Sequence, residues 1–247
     1  MKRFIIIGAT SSIAEHCARL WIEEAAIDLT LVARNAARAE SIAADLKLRN
    51  PDSIVRVRTG NFADPESIQS LVDQVLEQGR ADCVLIAHGS LPDQTVCQKN
   101  LAVNARELYI NGISPVLFAE AFANSMVRTG GGNIGIIGSV AGDRGRKSNY
   151  VYGAAKGLIT RYAQGLQHRL DGTGVRVTLI KPGPTRTPMT EHLANSQPKL
   201  ADVGTVAGTI VEGMEKGHGT VYSPGKWRVI MMIIRHLPHF IFSRMDI

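Results

Sequence analysis

Seven short apolar runs, continuous rather than alternating, constrain the fold of this chain more than any other feature: residues 4–7, 29–32, 54–57, 83–86, 133–137, 175–180 and 220–222. A strand covered on both faces needs apolar side chains on both, so such runs read as buried strands of a parallel sheet. Helical periodicity lies between them, near 13–25, 36–49, 65–78, 101–128, 151–171 and 203–216. The third stretch is cleanly punctuated, with Asp64 as N-cap, Pro65 at the first helical position and Gly79 just past the end. Strand–helix alternation with connections of this length implies right-handed crossovers. The expected fold class is α/β, a doubly wound parallel sheet with helices on both faces. At 247 residues the chain suits one such domain over 1–247. A polar stretch with two prolines at 187–201 reads as a substrate loop, and 225–247 as a basic, apolar helical extension.

The remaining composition excludes other classes. With 45% apolar and 20% charged residues the chain is neither disordered nor collagenous. Cys17, Cys83 and Cys97 are odd in number and form no CxxC pair, which favours reduced thiols in a cytosol and offers no zinc spacing. Lys2-Arg3 before the first apolar run imitates a signal peptide, but that run is too short for an h-region. The run at 229–234 is too short to span a bilayer.

In an open parallel sheet, ligands bind beyond the carboxyl ends of the strands. The first run opens into Gly8-Ala9-Thr10-Ser11-Ser12-Ile13-Ala14 and then a helix. Small residues there let the backbone approach a pyrophosphate, and the helix N-terminus favours its charge. An ordinary glycine-containing turn is the alternative; position after the first strand favours the dinucleotide. The second run ends at Arg34, with no acidic residue between 29 and 38. A carboxylate at this point suits the ribose 2′-OH of NAD, whereas arginine suits a 2′-phosphate, so NADP(H) is preferred over NAD(H). Asn61 and Phe62, and Ala87-His88-Gly89, follow the third and fourth runs and would border adenine and ribose. His88 reads as a wall residue rather than a catalyst.

The chemistry follows the fifth run. Ser139 precedes Tyr152 by thirteen residues, and Lys156 follows Tyr152 by four, which puts phenol and ammonium on one helical face. A free tyrosine titrates near 10. A cation one turn away is expected to lower that value by favouring the phenolate. Tyr150 lies on another face. Asn111 sits within the long helical stretch, and Pro115 cannot donate to its carbonyl, so a kink is expected there. The freed carbonyl would hold a water beside Lys156, or the kink is one of packing only. After the sixth run, the turn Pro182-Gly183-Pro184-Thr185-Arg186-Thr187 can press on a flat ring, with Thr187 bonding an amide.

Taken together, Gly8, Ser12, Ala14, Asn111, Ser139, Tyr152-x-x-x-Lys156 and Pro182-Gly183 resemble the short-chain dehydrogenase/reductase family over roughly residues 1–220. The resemblance implies a seven-stranded Rossmann-like sheet and a nicotinamide cofactor. It also implies Tyr152 as general acid/base, Lys156 lowering its pKa and holding the nicotinamide ribose, Ser139 binding the carbonyl and Asn111 organising a water relay. Homodimers or homotetramers are common in the family. Three departures stand out: Ser12 and Ala14 replace family glycines, Ile86-Ala87-His88-Gly89 replaces Asn-Asn-Ala-Gly, and Asn61 replaces an acidic residue. A narrower resemblance, carried by Ala87-His88-Gly89 and the segment 222–238, is to the branch that reduces a decaprenylphosphoryl-2-keto-pentose. It implies a lipid-linked keto sugar or related carbonyl substrate at a membrane surface.

The formal charge is +6, and half of it lies at 225–247, where four cations face Asp246 alone. There Trp227, residues 229–234, Leu237 and 240–242 mix with Arg228, Arg235 and Arg244. This tail suits either an oligomer interface or peripheral contact with the inner face of a membrane. Pro238 disrupts His236-x-x-His239, so no metal site is read. The loop Asp143-Arg144-Gly145-Arg146-Lys147 either recognises a substrate phosphate or is a solvated turn. The expected function is an NADPH-dependent carbonyl reductase or alcohol dehydrogenase acting on a small-molecule or lipid-linked carbonyl. The alternative is a non-catalytic dinucleotide sensor or scaffold. Nucleic-acid binding is not expected, because the surplus charge falls on a tail and one loop without a recognition motif.

Overall fold

The computed structural model describes residues 1–193 and 200–245, so part of the expected 187–201 loop, and Asp246 with Ile247, lie outside the described residues. The strands are β1 (Arg3–Ile7), β2 (Asp28–Ala33), β3 (Ile54–Thr59), β4 (Cys83–Ile86), β5 (Gly132–Ile137), β6 (Val175–Pro182) and β7 (Thr220–Ser223). They form one sheet in the order β3-β2-β1-β4-β5-β6-β7, and every pairing is parallel. The chain winds outward from β1 to β3, then returns to add β4 on the other side. The switch point therefore lies between β1 and β4.

Side-chain alternation divides the core into two layers. Ile5 and Ile7 of β1, with Val84 and Ile86 of β4 and Ile134 and Ile136 of β5, face α3 (Pro65–Leu76), α6 (Ser114–Thr129) and α7 (Tyr150–Leu170). Ile6, Leu85 and Ile180 face the other way, against α1 (Ser12–Glu24), α2 (Ala36–Arg49) and α8 (Val203–Glu215). Both faces of the inner strands are sealed, which is why their apolar runs are continuous; the edge strand β3 is partly exposed. Each fully buried aliphatic side chain contributes about 1.5–3 kcal/mol. The three cysteines are free and buried. Burial pushes the Cys83 thiol up to about 12, so it stays protonated and inert.

The expected helix over 101–128 is divided. It becomes α5 (Leu101–Leu108), a π-turn at Tyr109–Ile113 and α6. Pro115 has no N–H, so the ladder cannot run through it as a regular helix, and Ser114 N–H instead reaches back five residues to the Tyr109 carbonyl. A short α4 (Gln94–Lys99), capped by Asp93, was not apparent as a separate helix. The tail folds as α9 (Lys226–His236) and α10 (His239–Phe242).

Candidate active site

A cavity of about 700 Å³ opens at the carboxyl ends of the strands, where the alternating crossovers place their loops. Of the cofactor residues expected from the sequence, its lining includes Ser11, Ile13, Ala87, His88, Gly89, Pro182, Gly183, Thr185 and Thr187. Asn111, Ser139, Tyr152 and Lys156 line it too. A smaller recess of about 300 Å³ at the amino ends, around Lys2, Phe4 and Asp82, gathers no comparable set.

Gly8 lies beneath the cavity at the switch point. Its φ of +83° is left-handed, and a Cβ there would stand 2.5 Å from the His88 backbone nitrogen, so only glycine lets β1 and β4 close together. The turn leads to α1, where the Ser11 side chain makes no capping bond, leaving the first N–H groups of the helix available to an anion. Thr10 and Ser12 are half-buried on this turn and do not line the cavity. Ala14 is buried in the core against the helix layer. Arg34 is exposed just past β2, and Asn61 is exposed past β3, its side chain accepting from Ala63 N–H. Phe62 departs from expectation. It is fully buried, edge-on to His88 and Phe118 with centroids 5.0 and 5.1 Å away, and supports the wall from within rather than lining it. His88 is bonded through Nε2 to Ser114 Oγ at 2.9 Å. Burial, reinforced by Lys156 and Arg34, pushes it down to about 3 and keeps it neutral.

The chemical end is assembled by α7 and the π-turn. Gly112 makes their approach possible, because a Cβ on it would lie 3.2 Å from the Ala155 backbone. Asn111 is fully buried. Its Oδ1 accepts from Ser90 N–H at 2.8 Å, and its Nδ2 donates to Ser90 Oγ and to the Glu107 carbonyl and carboxylate at 3.0–3.2 Å. Ser90 Oγ in turn donates to the Glu107 carboxylate. Ser90 and Glu107 escaped the sequence reading, although Glu107 precedes Asn111 by one helical turn. Ser139 Oγ accepts from Ala141 N–H at 3.1 Å, which leaves its own proton to the cavity side, where it meets the Tyr152 phenol. Lys156 Nζ donates to the Ile137 carbonyl at 3.0 Å and lies 5.6 Å from the Tyr152 ring centroid.

One electrostatic expectation is corrected. Tyr152 is raised, not lowered: desolvation dominates, and the neighbouring Ser139 hydroxyl only partly offsets it. Burial also pulls Lys156 down to about 8. An unfolded chain binds that proton more tightly, so stability rises with pH between about 8 and 10.5. Lys156→Met should therefore stabilise the free protein by about 3 kcal/mol at neutral pH. The gain should shrink as pH climbs through that window. Urea unfolding of both proteins across it is the measurement, and a gap independent of pH would refute the assignment.

The basic loop divides three ways. Asp143 is paired with Lys181 in the interior and accepts from Tyr222 OH at 2.8 Å. Arg144 Nη1 donates to the carbonyls of Ile234 and Leu237 at 2.5 and 2.7 Å, and its guanidinium stacks 3.8 Å from the Phe242 ring centroid. It caps the end of α9 and fastens the tail, so it is not available to a substrate phosphate. Arg146 lines the cavity. Thr187 is engaged with Thr190, its hydroxyl 3.2 Å from Thr190 Oγ1. No local pattern signals that Trp227, at the start of α9, lies over Gly183; a Cβ on that glycine would collide with the indole. Among the described residues, no group of His, Cys, Asp and Glu is placed to hold a metal ion.

The family model for short chain dehydrogenases matches residues 2–198. The chain is 31% identical to an uncharacterized oxidoreductase of Streptomyces coelicolor over 245 residues, covering 99% of this chain and 96% of the relative. A Mycobacterium tuberculosis oxidoreductase is 30% identical, with 98% and 96% covered. A short-chain dehydrogenase from Sphingobium yanoikuyae solved in complex with NADPH shares the fold, with a TM-score of 0.81 at 22% identity over 97% of each chain. A nicotinamide dinucleotide-dependent oxidoreductase is the class that this fold and these matches define. The chain belongs to the short-chain dehydrogenase family.

Proposed function

We propose that the protein is an NADPH-dependent carbonyl reductase, interconverting a ketone and a secondary alcohol. The observation that carries this reading is the convergence of Asn111, Ser139, Tyr152 and Lys156 on one cavity beside the switch point. The residues fit a dinucleotide. The Gly8 turn and the open N-terminus of α1 suit its pyrophosphate, and the walls at Ala87–Gly89 and Pro182–Gly183 would flank its rings. When bound, the nicotinamide supplies or receives the hydride. Ser139, whose hydroxyl meets the Tyr152 phenol, would turn its proton to the carbonyl oxygen and orient it. Tyr152 donates the proton that this oxygen needs, and its raised pKa keeps it protonated at neutral pH for that purpose. The Lys156 ammonium stabilises the phenolate left behind and is placed to hold the ribose. Asn111, fixed by Ser90 and Glu107 on the π-turn, would hold through its carbonyl the water that returns the proton from solvent by way of Lys156.

Arg34 supports the cofactor preference. It is exposed where the 2′-phosphate would lie, and residues 29–38 hold no carboxylate to compete for the ribose. Arg34→Asp is expected to weaken NADPH about 10–100-fold and NADH hardly at all. Isothermal titration together with turnover on a panel of ketones tests both parts. Tighter binding of NADH by the unaltered protein would overturn the preference, and failure to reduce any carbonyl with either cofactor would overturn the reductase.

The finer substrate reading is a keto sugar carried on lipid, or a related carbonyl. It is supported by the tail, where Trp227 joins α9 to the Gly183 wall and Val229, Met232, Ile233, Phe240 and Ile241 are exposed. That face would be covered by a second copy of the chain, as a dimer or tetramer, or by anionic lipid at the cytoplasmic side of a membrane. Among the described residues, no helix is long and apolar enough to cross a bilayer.

A further inference from the structure

Arg146 lies on the loop between Ser139 and α7, on the wall of the cavity that holds Tyr152 and Lys156. Its Nε and Nη2 are out of reach of water and meet no hydrogen-bond acceptor. These two nitrogens form the side-on edge of the guanidinium, whose parallel N–H groups match two oxygens of a carboxylate, sulfonate or phosphate. Burial pulls the guanidinium below its ordinary pKa, and Asp143 offsets this only in part. That carboxylate is already committed to Lys181 and Tyr222. On the same wall, Gln94 Nε2 and Asn149 Oδ1 also lack partners. Among the described residues, the charges lining the cavity are Arg146 and Lys156 against one carboxylate, Asp93, which is exposed and accepts from Thr95 and Val96 N–H at the start of α4.

A desolvated arginine with an idle fork is poorly compensated until an anion arrives. We propose that Arg146 anchors an anionic group of the substrate, with the Gln94 amide as a second donor, and that this contact selects the substrate. The proposal rests on the reductase reading and narrows it to carbonyl compounds bearing a carboxylate, sulfonate or phosphate. Gly145, Lys147 and Ser148 around Arg146 are exposed, so rotation about the end of its flexible stem brings the fork onto an incoming group.

Matched ketones that differ only in an anionic or a neutral end group test it, using carboxylate, sulfonate and phosphate monoester members. The ratio of kcat/KM for anionic over neutral partners should be about 10–100 in the unaltered protein and fall toward unity in Arg146→Met. Arg146→Lys keeps charge and length but loses the fork. It should lose several-fold of the ratio, and it serves if the methionine variant is unstable. The member with the lowest KM identifies the anion. A separate arm needs no turnover: propanesulfonate and inorganic phosphate should raise the melting temperature of the NADPH-saturated protein, and not that of Arg146→Met. Reduction of ketones with the same ratio in all three proteins overturns the inference and leaves the reductase standing. Anion protection that depends on Arg146, without reduction of any ketone, upholds the anion site and overturns the reductase. Neither effect overturns both.

Discussion

Tyr152→Phe is expected to lower kcat by about 10²–10⁴-fold while leaving cofactor affinity and thermal stability close to those of the parent. The hydroxyl is a small part of a side chain that packs mainly by its ring, and the Lys156 ammonium 5.6 Å from the ring centroid is held independently by the Ile137 carbonyl. What disappears is the only phenol that the described residues bring to the cavity wall. Reduction needs a proton at the carbonyl oxygen as the hydride reaches carbon, and Ser139, an alcohol with no base behind it, is a poor substitute. Tyr150→Phe is the control: that ring is exposed, does not line the cavity, and should leave turnover unchanged. Steady-state kinetics with a ketone identified by screening, alongside NADPH titration, gives the answer. Near-full activity in Tyr152→Phe would remove the acid from the scheme.

The sequence reads well wherever one property dominates. Continuous apolar runs mark the inner strands, because both sheet faces are covered there and no solvent face imposes alternation, whereas the edge strand β3 carries Arg56 and Arg58 and is partly exposed. The i and i+4 spacing of Tyr152 and Lys156, and proline four residues after Asn111, survive as geometry because they depend on the helix alone. What it hides are contacts between segments remote in the chain. Phe62 follows a strand end, as a ligand contact would, yet long-range packing against His88 and Phe118 buries it. The sign of the Tyr152 shift is hidden for a related reason: Lys156, four residues away, is visible in sequence, whereas the desolvation that raises the phenol comes from the whole fold. The loop 143–147 reads as one basic cluster, but its members are sorted by partners on β6, β7 and α9 that no local pattern announces.

The largest stability effect should come from that loop. Asp143 and Lys181 are paired with 2% and 4% of their side chains exposed, and Tyr222 adds its hydroxyl to the same carboxylate. Three segments meet there: the loop that leaves Ser139, the end of β6 and the end of β7. The carboxylate also raises the Tyr222 phenol to about 12, burial being the larger cause, so it remains a donor at any ordinary pH. Asp143→Ala would leave an ammonium buried without a counter-charge and a phenol without an acceptor, a loss of about 3–5 kcal/mol. For a chain of this size that corresponds to a fall of roughly 10 °C in Tm. Coulomb attraction is not what makes the pair valuable, since two charges taken from water roughly offset their own desolvation. The double variant Asp143→Ala/Lys181→Met should therefore recover most of the stability that the single change loses. A double variant no more stable than the single one would show that the carboxylate acts through packing instead. Activity adds a second readout, because Lys181 directly precedes the Pro182-Gly183 wall and Asp143 starts the loop that carries Arg146. If this pair is what holds that wall against the loop, KM for the substrate should rise in Asp143→Ala at temperatures where the protein is still folded, and fall back in the double variant.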